Sequence, residues 1–112
     1  MYYEDVFPIT RQEAEEAFSS GNVEKTCDAL IRLTYHEPDW EWVQSQCLRF
    51  GKNPHPEIRG VVANCIGHLA RIHSVLDMET VHPLLEELLD DPEISGRAQD
   101  ALDDIEVYLR RK

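Results

Sequence analysis

A hexapeptide that returns every 36 residues constrains this chain more than any other feature. Asp28-Ala29-Leu30-Ile31-Arg32-Leu33 is followed by Asn64-Cys65-Ile66-Gly67-His68-Leu69, and then by Asp100-Ala101-Leu102-Asp103-Asp104-Ile105. Each copy has a small residue (Ala29, Cys65, Ala101), then an aliphatic (Leu30, Ile66, Leu102), then a second aliphatic one helical turn on (Leu33, Leu69, Ile105). The internal spacing is that of one helix face. The period is that of stacked helical units, none of which can bury its apolar face without its neighbour.

Start and stop signals divide the chain into six helices. Thr10-Arg11-Gln12-Glu13 is a capping box for the first, which Ser19-Ser20-Gly21-Asn22 ends. Asn22 caps a second helix over Val23 to Tyr35, with Thr26, Cys27, Leu30 and Leu33 inward. Pro38-Asp39 opens a third near Trp40 to Phe50, burying Trp40, Val43, Cys47 and Leu48. Pro56 suits the first position of a fourth helix that runs to His73 on Ile58, Val62, Cys65, Ile66 and Leu69. Asp77 caps a fifth carrying Val81, Leu84, Leu85, Leu88 and Leu89, with Pro83 either in its first turn or at a kink. Asp91-Pro92-Glu93 opens a sixth that buries Ala98, Ala101, Leu102, Ile105 and Leu109, with Arg110-Arg111-Lys112 at its negative end. The expected fold is all-α: one domain over residues 1–112, a short right-handed α-solenoid of three antiparallel helix pairs.

Charge narrows the partners. Twenty-two acids against eleven basic residues give a net charge of −11, unevenly spread. Residues 1–38 hold 8 acids and 3 bases, residues 39–74 hold 3 and 4, and residues 75–112 hold 11 and 4. Such a surface repels phosphate backbones, which disfavours direct nucleic-acid binding, and steers toward a basic partner. Plain solubility is the alternative use of the same charge. No run approaches the roughly 20 apolar residues of a membrane span, and the acidic Met1-Tyr2-Tyr3-Glu4-Asp5 start has no secretory pattern, so a cytoplasmic location is expected. Cys27, Cys47 and Cys65 fall inside apolar helical patterns and read as buried free thiols.

His55-Pro56-Glu57-Ile58-Arg59-Gly60-Val61-Val62-Ala63-Asn64-Cys65-Ile66-Gly67-His68-Leu69 resembles a HEAT-type repeat, and Asp91-Pro92-Glu93-Ile94 starts the last unit in the same way, with Ser95 where the repeat arginine would stand. The whole chain is similar to short bacterial helical-repeat proteins, through Asp39-Trp40-Glu41-Trp42-Val43-Gln44, Gly67-His68-Leu69-Ala70-Arg71-Ile72-His73 and the last hexapeptide copy. These include immunity proteins of contact-dependent growth inhibition (CDI) systems. The resemblance implies a protein that binds and neutralises a cognate toxin C-terminal domain, often a basic nuclease, with an EndoU-type ribonuclease among the candidates. A generic HEAT-like adaptor is the alternative.

No reaction chemistry stands out. There is neither a Cys-x-x-Cys nor a His-x-x-x-His, so no metal or cofactor is expected. Cys65 and His68 share a helix edge, but a packed thiol beside a surface histidine explains them. Base-removing enzymes of HEAT-like build need a basic groove, and the last helix pair is acidic. A non-enzymatic binding surface fits better. The 36-residue step aligns Asp28, Asn64 and Asp100 in one row, Arg32, His68 and Asp104 in the next, and Tyr35, Arg71 and Val107 in a third. With Asp103, and with Trp42 as an aromatic anchor if it does not pack under Tyr2, Tyr3 or Phe7, these rows are the expected partner-binding residues.

Overall fold

The start signals close as the residues require. The Glu13 N–H donates to Thr10 Oγ1, and the Thr10 N–H to Glu13 Oε1, both at 3.0 Å. Asn22 accepts from the Lys25 N–H at 3.0 Å, Asp39 from Trp42 at 3.1 Å and Asp77 from Glu79 at 3.2 Å. The computed structural model describes residues 6–109, with helices α1 (Arg11–Ser19), α2 (Val23–His36), α3 (Trp40–Phe50), α4 (Pro56–His73), α5 (Met78–Leu89) and α6 (Ser95–Leu109). The fold is all-α. Pro56 opens α4, and Ser74, in the left-handed region at φ 56°, ends it.

Consecutive helices form three pairs, α1 with α2, α3 with α4, and α5 with α6. Helices α2, α4 and α6 lie side by side with α4 in the middle, where it touches α2, α3, α5 and α6. The repeat positions lie along this layer: Ala29, Leu30, Leu33, Cys65, Ile66 and Leu69 are wholly buried, and Ala101 and Ile105 nearly so. The first helical residues of α2 and α6, Val23 and Ser95, correspond through Arg59 on the same 36-residue step; α4 extends one turn further back, to Pro56.

Several sequence expectations need correction. Helix α6 begins at Ser95, not at Asp91, because Asp91 makes its own turn first. Its Oδ1 accepts the Glu93 N–H at 3.0 Å, and its carbonyl accepts from Ile94 at 3.0 Å and Ser95 at 2.8 Å. Its Oδ2 faces Arg59 at 2.7 Å, while Arg59 also donates to the Asn53 carbonyl at 2.7 Å, tying the second unit to the third. Pro83 lies inside α5 beyond its first turn; it is exposed, so the donor it lacks is missing on the solvent side. Leu102 and Leu109 are half-buried because α6 has no further described helix beyond it, and Leu48 and Leu89 are half-buried as well. Trp40, at the first position of α3, is half-buried like Trp42, and neither ring is enclosed. Cys27 is half-buried, its thiol donating to the Glu57 carbonyl at 3.8 Å. The expected contacts of Trp42 with Tyr2 or Tyr3, and the basic end Arg110-Arg111-Lys112, lie outside the described residues.

Small residues set the approach of α4 to α6. A Cβ on Gly67 would stand 3.3 Å from Ala101 Cα and 2.8 Å from Asp104 Oδ2. The two helices therefore meet closely enough to share side-chain chemistry along one line.

Candidate functional site

Above that close approach, α4 and α6 enclose a groove of about 340 Å³. Asn64, His68 and Arg71 line it from α4, and Asp100, Asp103 and Asp104 from α6. Five of these lie in the rows that the repeat register aligns, and Asp103 is the sixth expected residue. Arg97 also lines it.

A polar chain crosses all three second helices. Tyr35 Oη on α2 lies 3.2 Å from His68 Nε2, with the rings 5.1 Å apart. Arg71 Nη2 donates to His68 Nδ1, so Nδ1 carries the lone pair and Nε2 the proton. Burial, then the neighbouring Arg71 charge, push the His68 imidazole down to about 4, leaving it neutral at physiological pH. His68 is thus half-buried and partnered rather than the surface histidine expected. Arg71 Nε is buried without a hydrogen bond, and Asp104 Oδ2 is 3.9 Å away. Burial pushes the Asp104 carboxyl up, against the pull of Arg71, while Asp100 and Asp103 add to the rise. Gln99 Nε2 donates to Asp103 Oδ1 at 3.0 Å.

This arrangement is suited to binding. Three carboxylates and two guanidinium groups line a shallow opening, and a neutral imidazole held near 4 is a weak base at physiological pH. The thiols of Cys47 and Cys65 are wholly buried, and the contact with Cys65 together with burial pushes Cys47 up, which keeps it protonated and inert. Among the described residues, no group of three or more His, Cys, Asp or Glu side chains is placed to hold a metal ion.

The other expected residues lie apart. Asp28 and Arg32 line a separate depression between α1 and α2. Arg32 straps down the segment before α1, donating to the carbonyls of Phe7 at 2.9 Å and Pro8 at 2.6 Å, and to Asp28 Oδ2 at 3.3 Å. Trp42, on α3, lies under the Arg11 guanidinium at 4.3 Å, which Asp39 holds at 3.0 Å. Arg97 escaped the sequence reading. The signal was Gly60 and Gly67, two turns apart on one face of α4, where α6 comes closest; a Cβ on Gly60 would meet the Arg97 side chain.

No protein-family model matches the chain, and no curated protein matches it. Among solved structures it is similar to a chain in the crystal structure of a CDI complex from Cupriavidus taiwanensis LMG 19424. The identity is 32% and the TM-score 0.83, over 96% of this chain and 97% of that one. With this identity over nearly the whole of both molecules, and with the resemblance to CDI immunity proteins carried by its residues, the chain belongs to the family of that CDI-complex protein.

Proposed function

We propose that this chain is the immunity protein of a CDI pair, which binds its cognate toxin's C-terminal domain in the cytoplasm and silences it by covering the substrate site. The family relation to a chain of a CDI complex carries this reading. The charge supports the kind of toxin. A nuclease must attract phosphate, so its substrate site is basic; a surface of net charge −11 is its electrostatic complement. The toxin we favour is accordingly a basic nuclease, with the EndoU ribonuclease class as the specific candidate.

The docking surface is centred on the α4/α6 groove. Asp100, Asp103 and Asp104 take the partner's cations, Asn64 offers an exposed amide, and the Tyr35–His68–Arg71 chain holds the wall behind Asp104. Asp28, Arg32 and Trp42 fall outside this surface, since Arg32 and Trp42 are engaged within the fold. An interface of about 800 Å² on each partner would extend beyond the groove to the neighbouring α6 surface. Inhibition is by binding alone, without catalysis or nucleic-acid contact by this chain.

The test is co-expression. The reading expects a large secreted protein to be encoded beside this chain; its C-terminal domain should arrest growth when produced alone, and this chain should restore growth. It should not rescue cells from an unrelated toxin domain. Arrest that persists at equal expression of the two proteins would reject the reading.

A further inference from the structure

At the far end of the stack lies a second recess, about 690 Å³ and so larger than the acidic groove. It sits between the α4–α5 connection and the end of α6, lined by Val75, Leu76, Met78, Ile105 and Leu109. Val75 is exposed, and Met78 and Leu109 are half-buried although they pack against the core. Among the described residues, no helix packs over these apolar groups.

The surroundings indicate what fits there. Residues 75–112 carry eleven carboxylates against four Lys or Arg residues, a net charge of −7. Arg97 lies across Gly60, near the opposite end of α6 from Leu109. Glu79 and His82 line the recess, and Glu86 lies 3.0 Å from His82 Nδ1. An apolar pocket in so acidic a field favours an apolar side chain carried on a basic segment. A second acidic copy of this chain would meet like charge around the pocket.

We infer that this recess is a second docking point for the toxin domain, seating an aliphatic or aromatic anchor that is flanked by Lys or Arg. The inference rests on the function proposed above and adds a division of labour to it. The carboxylates of the α4/α6 groove govern the rate of encounter, and the recess governs how long the complex lasts.

The experiment measures association and dissociation rates of the toxin C-terminal domain that passes the co-expression test, against the unaltered chain, Val75→Asp and Met78→Gln. Val75 is in an exposed connection, and Met78→Gln adds no charge; far-UV circular dichroism and urea unfolding establish that both variants are folded. Val75→Asp makes the surface still more acidic, so charge alone would strengthen binding. The expected result is about a tenfold faster dissociation for each variant, the effect of losing one well-packed apolar contact, with the salt dependence of association unchanged. Dissociation that is unchanged in both variants overturns the inference and leaves the proposed function standing. A dimer of the unaltered chain in sedimentation, dissolved by Val75→Asp, also overturns it, because the recess would then be covered by a second copy. Absence of any binding to the unaltered chain rejects the proposed function, and this inference with it.

Discussion

Acidification tests the environment of His68 directly. The imidazole is held near 4 by burial and by Arg71, against about 6.5 in an open chain. Between about pH 7.5 and about pH 5 the unfolded chain therefore takes up a proton at this position that the folded chain refuses. Folding stability falls as pH drops below 6.5, and the loss from this residue is complete once pH is below about 4. A pKa displacement of this size gives about 2 kcal/mol between about pH 7.5 and about pH 5, and about 1–2 kcal/mol once the partial exposure of the ring is allowed for. Other groups titrate in the same window, and the depressed Asp91 carboxyl and the raised Asp104 carboxyl act in opposite senses at lower pH. The clean quantity is therefore a difference. Urea unfolding of the native chain and of His68→Gln, followed by far-UV circular dichroism at both pH values, should show the native chain losing about 1–2 kcal/mol more than the variant. Equal losses would mean that His68 is hydrated and freely protonated, and the Tyr35–His68–Arg71 chain would be wrong.

Three other perturbations follow from the packing and the charge. Leu69→Ala, in the middle of the stack, should cost about 3–4 kcal/mol, and Ile105→Ala, beside the open recess, about 2 kcal/mol; urea midpoints in the reverse order would contradict the central position of α4. Gly67→Ala gains about 1 kcal/mol in helix propensity but forces a contact 3.3 Å from Ala101 Cα, so a net loss of about 1 kcal/mol is expected, and a more stable variant would show that the α4–α6 spacing yields easily. Reversing the charge at Asp100, Asp103 and Asp104 to Lys should slow association with the toxin domain about tenfold or more at low salt, with the gap closing as salt is raised; stopped-flow rates that match the native chain would remove these residues from the encounter surface.

The sequence makes the framework legible because its signals are local. Thr10 with Glu13, and Asn22 and Asp77 beside the turns they cap, need only their own neighbours to act, and each forms its expected bond; Asp39 caps the helix it was expected to open. The 36-residue step aligns the second helices because each copy is packed by the same kind of neighbour. Features made by distant segments were harder to read. The delayed start of α6 depends on Asp91 turning toward Arg59 across 32 residues. Arg32 resembles an exposed helical arginine until the Phe7 and Pro8 carbonyls are brought to it. Similarly, His68 becomes a neutral, half-buried group because the packed helices bury it and Arg71 turns back along α4 toward it. The rows locate the groove, while its protonation and the apolar recess beside Leu109 depend on tertiary contacts at the end of the stack.

The most direct test is a titration of purified toxin domain with this chain, reading nuclease activity on labelled RNA and on DNA. Cleavage should fall to background at one equivalent, Lys at Asp100, Asp103 and Asp104 should shift the curve to a large excess, and the chain alone should cleave neither substrate. Full toxin activity in the presence of a saturating amount of the native chain would contradict the proposed function.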